Sequence, residues 1–415
     1  MTDQPSIIRD INLKKTGLEK INWVKNFMPV LNILNKEYEE SKPLKGKTVV
    51  VSIHIEAKTA YLVLTLKNLG ANVVLAGCNP LSTQDDVAAA LVDLGVKVFA
   101  WYDCTQEEYD DFLNKALDEN PDIIVDDGGD LTATLHNTRP EIIKNILGGS
   151  EETTTGVVRL RALENKGKLK FPIVAANDAY CKYLFDNRYG TGQSTFDGLF
   201  RTTNLSISGK TIVVAGYGWC GKGISMRAKG LGANVIITEV DPIKAMEAAF
   251  DGFRVMPMQE AAQVGELFIT ATGCKDVITK EHMKVMKSGA VMANAGHFDV
   301  EINKNHLKEL ATSVTQVRKN IEEFTFENGK KLYLLAQGRL VNLASGDGHP
   351  IEIMDLSFAI QTLSVLYINE NHKNLTPKVY NVTSEINDKV AFLKIKSMGI
   401  EIDKLTEEQY KYIYS

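Results

Sequence analysis

Apolar, β-branched runs alternate along the chain with stretches of helical periodicity. After a helical segment that ends near Tyr38, Thr48-Val49-Val50-Val51 reads as a strand, and residues 72–75, 97–100 and 122–125 read as further strands. Helical patterns at 57–69 and 84–94 separate them. Strand and helix in alternation predict a doubly wound parallel sheet, because each parallel pair needs a crossover and helices supply it.

The pattern then repeats. Gly46-Lys47-Thr48-Val49-Val50-Val51 is matched by Gly209-Lys210-Thr211-Ile212-Val213-Val214, and Leu69-Gly70-Ala71-Asn72-Val73-Val74 by Leu231-Gly232-Ala233-Asn234-Val235-Ile236. Duplication and convergent use of a favourable βαβ design both account for the likeness. Either predicts an α/β chain of two doubly wound Rossmann-like domains with a ligand cleft between them and a small C-terminal tail. The expected division is one domain over 1–186 and 350–385, a second over 187–349, and a tail over 386–415. Residues 351–367 read as a long helix and 405–414 as a short amphipathic one. The Gly46-Lys47-Thr48 triplet is not the end of a P-loop, since Ser41 stands where that motif requires its first glycine.

Composition narrows the class. With 415 residues, 44% hydrophobic and 24% charged, the chain is ordinary globular material, and a net charge of −5 offers no basic field to nucleic acid or anionic membrane. The first twenty residues are polar without an apolar signal core, and no stretch reaches the roughly 20 apolar residues of a membrane span. A cytoplasmic protein acting on a small molecule is expected. Five cysteines without C-x-x-C pairs suggest reduced, mostly buried thiols rather than a disulfide frame or zinc site.

The sharpest motif is Gly216-x-Gly218-x-x-Gly221, between a strand at 211–215 and a helix, with Glu239 ending the next strand. Glycines there let backbone approach a pyrophosphate at a helix N-terminus, and an acidic residue about twenty positions on accepts ribose hydroxyls and repels a 2′-phosphate. NAD is therefore the expected cofactor, although Lys244 nearby weakens the exclusion of NADP. Two acidic, loop-like segments follow the first domain's strands: Asp126-Asp127-Gly128-Gly129-Asp130 and Glu151-Glu152-Thr153-Thr154-Thr155-Gly156. Ligand loop, hard-cation site and solvated turn are all open readings. Lys182 and Asp186, near Asn177 and Asn187, share a face if their stretch is helical; the pair is either a surface salt bridge or, in a cleft, a proton-transfer unit. His54, His297 and His349 lie beside strand ends or glycines and read as site or structural histidines.

Taken together, these segments resemble the adenosylhomocysteinase family from about residue 20 onward. The likeness rests on Asn79-Pro80-Leu81-Ser82-Thr83-Gln84-Asp85, the run from Asp126 to Thr132, Ser150 through Gly156, Phe185-Asp186-Asn187-x-Tyr189-Gly190, Ala215-Gly216-Tyr217-Gly218, Gly296-His297-Phe298-Asp299 and Gly338-Arg339-Leu340-Val341-Asn342-Leu343. It implies bound NAD that oxidises the ribose 3′-hydroxyl so that homocysteine can leave from C5′, water addition, and return of the hydride without net redox change. By the same resemblance Lys182 is the base for the 3′-hydroxyl, oriented by Asp186; Asp127 and His54 handle the C4′ proton and the leaving group or water. Glu152 and Asn177 lie near the ribose, and His297 and His349 at sugar and base. Thr153, Thr154, Thr155, Asn187, Gly218, Glu239 and Asn342 contact the cofactor; no metal is implied. A homotetramer or homodimer is expected.

Departures from the family pattern carry their own expectations. Thr191 stands for a cysteine and Gln337 for a glutamate, and the sequence stops at Ser415, short of the family's lysine-and-tyrosine tail, which puts cofactor affinity in question. The usual His-x-Thr-x-Glu-Thr reads His54-Ile55-Glu56-Ala57-Lys58-Thr59. A glutamate suits adenine's amino donor, whereas Lys58 and Glu56 would match the carbonyl and N1–H of hypoxanthine. The substrate expected is S-inosyl-L-homocysteine; the alternative, S-adenosyl-L-homocysteine, follows if Lys58 pairs with Glu56 or turns to solvent and adenine is read by backbone groups and His349. Two rivals are a net NAD-dependent dehydrogenase and an NAD-sensing binding protein, the latter opposed by the retained Lys182, Asp186, Asp127, His54 and His297.

Overall fold

The computed structural model describes residues 4–415; residues 1–3 of the expected substrate domain lie outside them. Its first sheet is built from β1 (Thr48–Ser52), β2 (Asn72–Ala76), β3 (Lys97–Phe99), β4 (Ile123–Asp126), β5 (Gly148–Glu151) and β6 (Ile173–Ala175). The second contains β7 (Thr211–Ala215), β8 (Asn234–Thr238), β9 (Arg254–Val255), β10 (Leu267–Thr270), β11 (Ala290–Asn294), β12 (Ala311–Arg318), β13 (Ile321–Phe326) and β14 (Lys331–Leu335), and β15 (Val379–Asn381) returns to the first. The orders are β15-β6-β5-β4-β1-β2-β3 and β12-β13-β14-β11-β10-β7-β8-β9. All pairs are parallel except in the β12-β13-β14 meander. Both sheets thus contain the doubly wound order 3-2-1-4-5-6, whose strand order reverses at β1/β4 in one and β7/β10 in the other.

The repeated sequence is repeated structure. Gly46 and Gly209 each take positive φ (82° and 79°) before their strands, and the Asn72 and Asn234 N–H groups each donate at 2.8 Å, to the carbonyls of Lys47 and Lys210. Strand β4 begins one residue later than expected, although Asp122 still meets the start of β1, its N–H donating to the Thr48 carbonyl at 2.9 Å and its carboxylate accepting the Thr48 N–H at 2.8 Å. The parallel register pairs Asp126 with Ser52 and leaves Asp127 at the mouth of the sheet.

The crossing between domains is no loose linker. Residues 180–182 form a short helical turn, Tyr183–Gly190 is π-helical, and Thr191–Thr203 continues as α-helix, so the expected boundary at 186/187 falls inside a continuous helical segment. Single-turn widenings of this kind mark functional positions. The return helix Ile351–Asn371 is longer than expected and apolar on every side. It is long and apolar enough to cross a membrane, but 78% of its apolar window is buried inside the fold, where it forms a core helix.

That helix also fastens the domain. The buried Asp355 carboxylate accepts the Val30 and Leu31 N–H groups at 3.1 and 3.0 Å, capping the Pro29–Glu37 helix, and meets Lys394 Nζ of the Ser384–Ser397 helix at 3.1 Å. The tail expected from 386 onward is therefore divided, since this helix docks on the body whereas Glu407–Tyr414 is exposed throughout. Cysteine burial also differs from expectation: Cys78 and Cys181 are buried, Cys104 and Cys220 are intermediate and Cys274 is exposed. Cys274 sits on a cofactor-domain loop lining the cleft rather than in a core. Replacing Asp355 by Ala should lower unfolding free energy by about 2–4 kcal/mol in urea denaturation, because it strands two helix N–H groups and a half-buried ammonium. A loss under about 0.5 kcal/mol, the level of an ordinary surface substitution, would contradict this role.

Candidate active site

The carboxyl ends of β1, β4, β7 and β10 face a single cleft of about 1340 Å³ between the domains. On the cofactor side, Gly216 has φ +96°, and a Cβ on Gly221 would lie 1.9 Å from the Gly216 carbonyl oxygen, so this turn accepts only glycine. Gly218 has open space before it and caps the Trp219–Gly230 helix, whose N-terminal N–H groups point into the groove. Glu239 follows β8. Its carboxylate is held by the N–H groups of Tyr217 (2.7 Å), Val240 (2.7 Å) and Asp241 (3.1 Å), which fixes it at the groove's edge. At the inner end, Asn342 Nδ2 donates to Ser194 Oγ at 3.1 Å while its buried Oδ1 lacks a partner. An orphan acceptor at that depth suits the carboxamide N–H of a nicotinamide, so the residues present fit NAD. Thr153, Thr154 and Thr155 reach the cleft from the opposite domain, Thr155 beside Gly273.

Lys182 lies at the floor, 4% exposed. Its Nζ donates to Asn187 Oδ1 at 2.9 Å and sits 3.4 Å from Asp186 Oδ1 and 3.6 Å from Glu152 Oε1. The widened helical turn brings positions i+4 and i+5 under the same ammonium. Burial opposes that charge, but Asp186 and then Glu152 hold the ammonium above its usual pKa. Burial likewise opposes ionisation of Asp186, yet Lys182 and then His349, whose Nδ1 is 2.8 Å away, keep its carboxyl well below the usual range. Glu152 is pushed up to about 8 by burial, against the pull of Lys182. Asn177 Oδ1 accepts from Asn187 Nδ2 at 3.1 Å and completes the floor.

A second cluster surrounds Asp127. Its Oδ2 lies 3.4 Å from His54 Nε2 and its Oδ1 3.7 Å from His297 Nδ1. His297 comes from the cofactor domain and packs on Gly128 so closely that a Cβ there would lie 2.3 Å from its Nε2. Burial lowers His54 from the usual 6.5 to about 4; Asp127 resists, and His297 and His349 add to the lowering. The neighbouring acids are structural: Asp126 accepts the Asp127, Leu131 and Thr132 N–H groups and the Thr132 hydroxyl, and Glu151 accepts the Gly128 and Thr153 N–H groups. With these bonds made, Asp126 is not arranged for a hard cation, while Glu151 keeps one buried oxygen without a hydrogen-bond partner.

Glu56, expected to meet N1–H of the base, has partners within the chain. It caps the Ala57–Asn68 helix, its oxygens accepting the Lys58 and Thr59 N–H groups at 2.9 and 3.1 Å, and Lys58 Nζ sits 2.6 Å from its Oε2. Lys58 Nζ also donates to the Asp347 carbonyl at 2.6 Å. An ammonium has three N–H groups, so one remains for a ligand. His349 lies at the sugar end, with Asp186 and with Thr191 Oγ1, 3.3 Å from its Nε2.

Sequence reasoning passed over Ser357 and Gln361. Ser357 Oγ donates to Asp186 Oδ2 and Gln361 Nε2 to Glu152 Oε2, both at 2.6 Å, and Ser150 Oγ donates to Gln361 Oε1 at 2.5 Å. Their signal was the placing of polar side chains in a helix otherwise apolar all round. Cys78 and Ser82, against His54, were also missed as neighbours of the site.

Fold and site together define a two-domain NAD-binding enzyme whose dinucleotide groove opens onto a buried lysine–carboxylate cluster. Residues 187–348 match the family model of the S-adenosyl-L-homocysteine hydrolase NAD binding domain, and residues 5–141 match that of S-adenosyl-L-homocysteine hydrolase. An S-inosyl-L-homocysteine hydrolase of Methanocaldococcus jannaschii is 59% identical over 98% of either chain. An adenosylhomocysteinase of Thermococcus kodakarensis is also 59% identical, over 98% of this chain and 97% of its own. An S-inosyl-L-homocysteine hydrolase of Methanococcus maripaludis is 57% identical over 98% of both. The chain belongs to the S-adenosyl-L-homocysteine hydrolase family and is an NAD-dependent thioether hydrolase.

Because the folded-state pKa of His54 lies below the unfolded value, burial of neutral imidazole adds stability that is complete above pH 6.5 and is lost as pH falls towards 4. The loss amounts to about 3 kcal/mol. Urea midpoints at pH 7 and pH 4 should therefore converge in His54→Gln relative to the parent; an equal fall in both would show that His54 does not titrate as described.

Proposed function

We propose that the protein reversibly hydrolyses S-inosyl-L-homocysteine to inosine and L-homocysteine through oxidation at the ribose 3′ position, elimination, water addition and reduction. Overall identity does not separate the two substrate classes, since relatives of both names stand at 59%. The observation that carries the choice is Lys58. It is 5% exposed in the cleft wall, pinned between Glu56 and the Asp347 carbonyl. Its remaining N–H meets an acceptor in the 6-carbonyl of hypoxanthine and a second donor in the 6-amino group of adenine. Glu56 acts by holding this ammonium in place, and His349 closes the sugar end.

In this reading Lys182 takes the 3′-hydroxyl proton as the neutral amine, once its own ammonium proton has passed to Glu152, whose carboxyl burial pushes up to about 8, and Asp186, anchored by Ser357, aims it. Glu152, held by Gln361 with Oε1 lacking a hydrogen-bond partner, and Asn177 meet the ribose hydroxyls. Asp127 removes the C4′ proton, and His54 with His297 serves the leaving thiolate and the entering water; a neutral His54 is able to accept a proton. Asn187, Thr153, Thr154, Thr155, Gly216, Gly218, Gly221, Glu239 and Asn342 hold the cofactor. When bound, NAD supplies hydride removal and return at C3′, so no net redox change accumulates.

The substrate domain of this reading comprises residues 1–186 and 350–385, the cofactor domain 187–349. A homo-oligomer is part of it, supported by exposed Tyr410, Tyr412, Ile413 and Tyr414 on the last helix. So is a cytoplasmic setting, supported by five free cysteines.

Lys182→Met should bind nucleoside yet reduce bound NAD about 10²–10⁴-fold more slowly than the parent in single-turnover absorbance, the usual worth of a general base. A parental rate would remove the assignment. For the base, kcat/KM measured by homocysteine release should favour the inosyl over the adenosyl thioether by about 10–100-fold, the equivalent of one buried donor mismatch of about 1–3 kcal/mol. NADH should not accumulate with product, as it would for a dehydrogenase. The double variant Glu56→Thr, Lys58→Glu should shift preference towards adenine; a ratio unmoved by it would show that the base is read elsewhere.

A further inference from the structure

Glu301 takes no part in the chemistry above, yet it is a carboxylate only 1% exposed, with no ion pair among the described residues. Donors from a single turn replace its hydration. Its Oε1 accepts the Gly273 N–H at 2.8 Å, and its Oε2 accepts the Thr272 N–H at 3.0 Å and the Thr272 hydroxyl at 2.7 Å. Burial pushes this carboxyl above its usual value, and the three donors oppose that rise. A buried acceptor of this kind fixes the turn that supplies its donors, since each bond lost strands a group away from water.

The turn stands at the switch point of the second sheet. It follows β10, and a Cβ on Gly216 would lie 2.8 Å from the Ala271 carbonyl oxygen and 3.1 Å from Thr272 Cγ2, so it packs directly on the dinucleotide glycine loop. Gly273, at φ +70°, lies beside Thr155 of the other domain. On its other side Glu301 meets the loop that carries His297. A Cβ on Gly296 would lie 1.8 Å from Glu301 Oε1, so only glycine leaves room for the carboxylate there. Asn294 grips the same loop from β11, its Oδ1 accepting the Gly296 N–H at 2.8 Å and its Nδ2 donating to the Phe298 carbonyl at 2.9 Å. Both elements that Glu301 touches reach across the cleft, the turn to Thr155 and the loop, through His297, to Gly128.

We propose that Glu301 is a positioning residue that locks the Thr272–Gly273 turn to the Gly296–His297 loop, so that one side chain sets both the seat of the cofactor and the placing of His297. Glu301 does not line the cleft and acts through residues that do. The fold survives its replacement, because the Val277 and Ile278 N–H groups donate to the Glu301 backbone carbonyl, at 2.8 and 3.0 Å, whatever the side chain. The effect on the cofactor stands on the NAD dependence of the enzyme; the effect on turnover rests on the role proposed for His297.

The test reads cofactor retention as well as turnover in the full-chain holoenzyme. NAD should leave Glu301→Ala about 10–100-fold faster than the parent, with Glu301→Gln between them because it keeps one acceptor oxygen. With NAD in excess, inosine should still reduce the bound cofactor within about threefold of the parental rate, because Lys182 is held from the other domain, while exchange of its 5′-oxygen with isotopically labelled water slows about tenfold or more. Gly296→Ala, which drives a methyl group onto Oε1, should reproduce both effects, and adding it to Glu301→Ala should cost no more than about twofold further. Parental NAD retention in Glu301→Ala and Gly296→Ala overturns the proposal. So does an equal loss of reduction and exchange with additive effects of the two substitutions, the mark of packing without coupling. If the parent is reduced by inosine but does not exchange its 5′-oxygen, the water-handling role of His297 falls, and NAD retention in the Gly296 and Glu301 variants decides for or against Glu301.

Discussion

An ammonium buried at the floor of the cleft governs much of what surrounds it. Lys182 can remain charged away from water only if carboxylates and hydrogen-bond acceptors replace its hydration, since an unpaired charge at that depth is very costly. Asp186, Glu152 and Asn187 supply them. Those carboxylates in turn need donors, and Ser357 and Gln361 provide them from the middle of the return helix. The result is that the most apolar helix of the chain also carries the most selective polar contacts. Its apolar faces fill the core while two side chains tune the site.

The two halves divide the remaining work. The substrate half brings the His54 imidazole and the Asp127 carboxylate to its strand ends, and the cofactor half brings glycines and Glu239 to the corresponding ends. Neither half is complete alone. His297 reaches from one domain onto Gly128 of the other, and Lys58 reaches back to the Asp347 carbonyl. The chain crosses between them through the helical segment that bears Lys182, Asp186 and Asn187.

Much of this was legible in the residues. The fold followed from β-branched runs separated by helical periods, and the cofactor groove from three glycines and an acid at set spacing, because those features act locally on the backbone. The contact that closes the start of β4 was not legible, since there the Asp122 carboxylate bonds a residue 74 positions earlier. Nor was the cap formed by Glu56, which turns an apparent base-reading acid into a support for Lys58. The π-helical turn was hidden too: helical spacing suggested Lys182 beside Asp186, whereas the wider turn adds Asn187. Ser357 and Gln361 required knowing which face of an all-apolar helix meets the site.

The internal repeat has a consequence for ancestry. Aligning Gly46 with Gly209 sets Ile53, Ile55 and Lys58 opposite Gly216, Gly218 and Gly221. Where the second half leaves a hollow for a pyrophosphate, the first has filled the equivalent hollow with two buried isoleucines and a lysine. A lineage that began as two like halves would have surrendered one nucleotide cradle in this way, and the side chain that plugs it is the Lys58 proposed to read the purine.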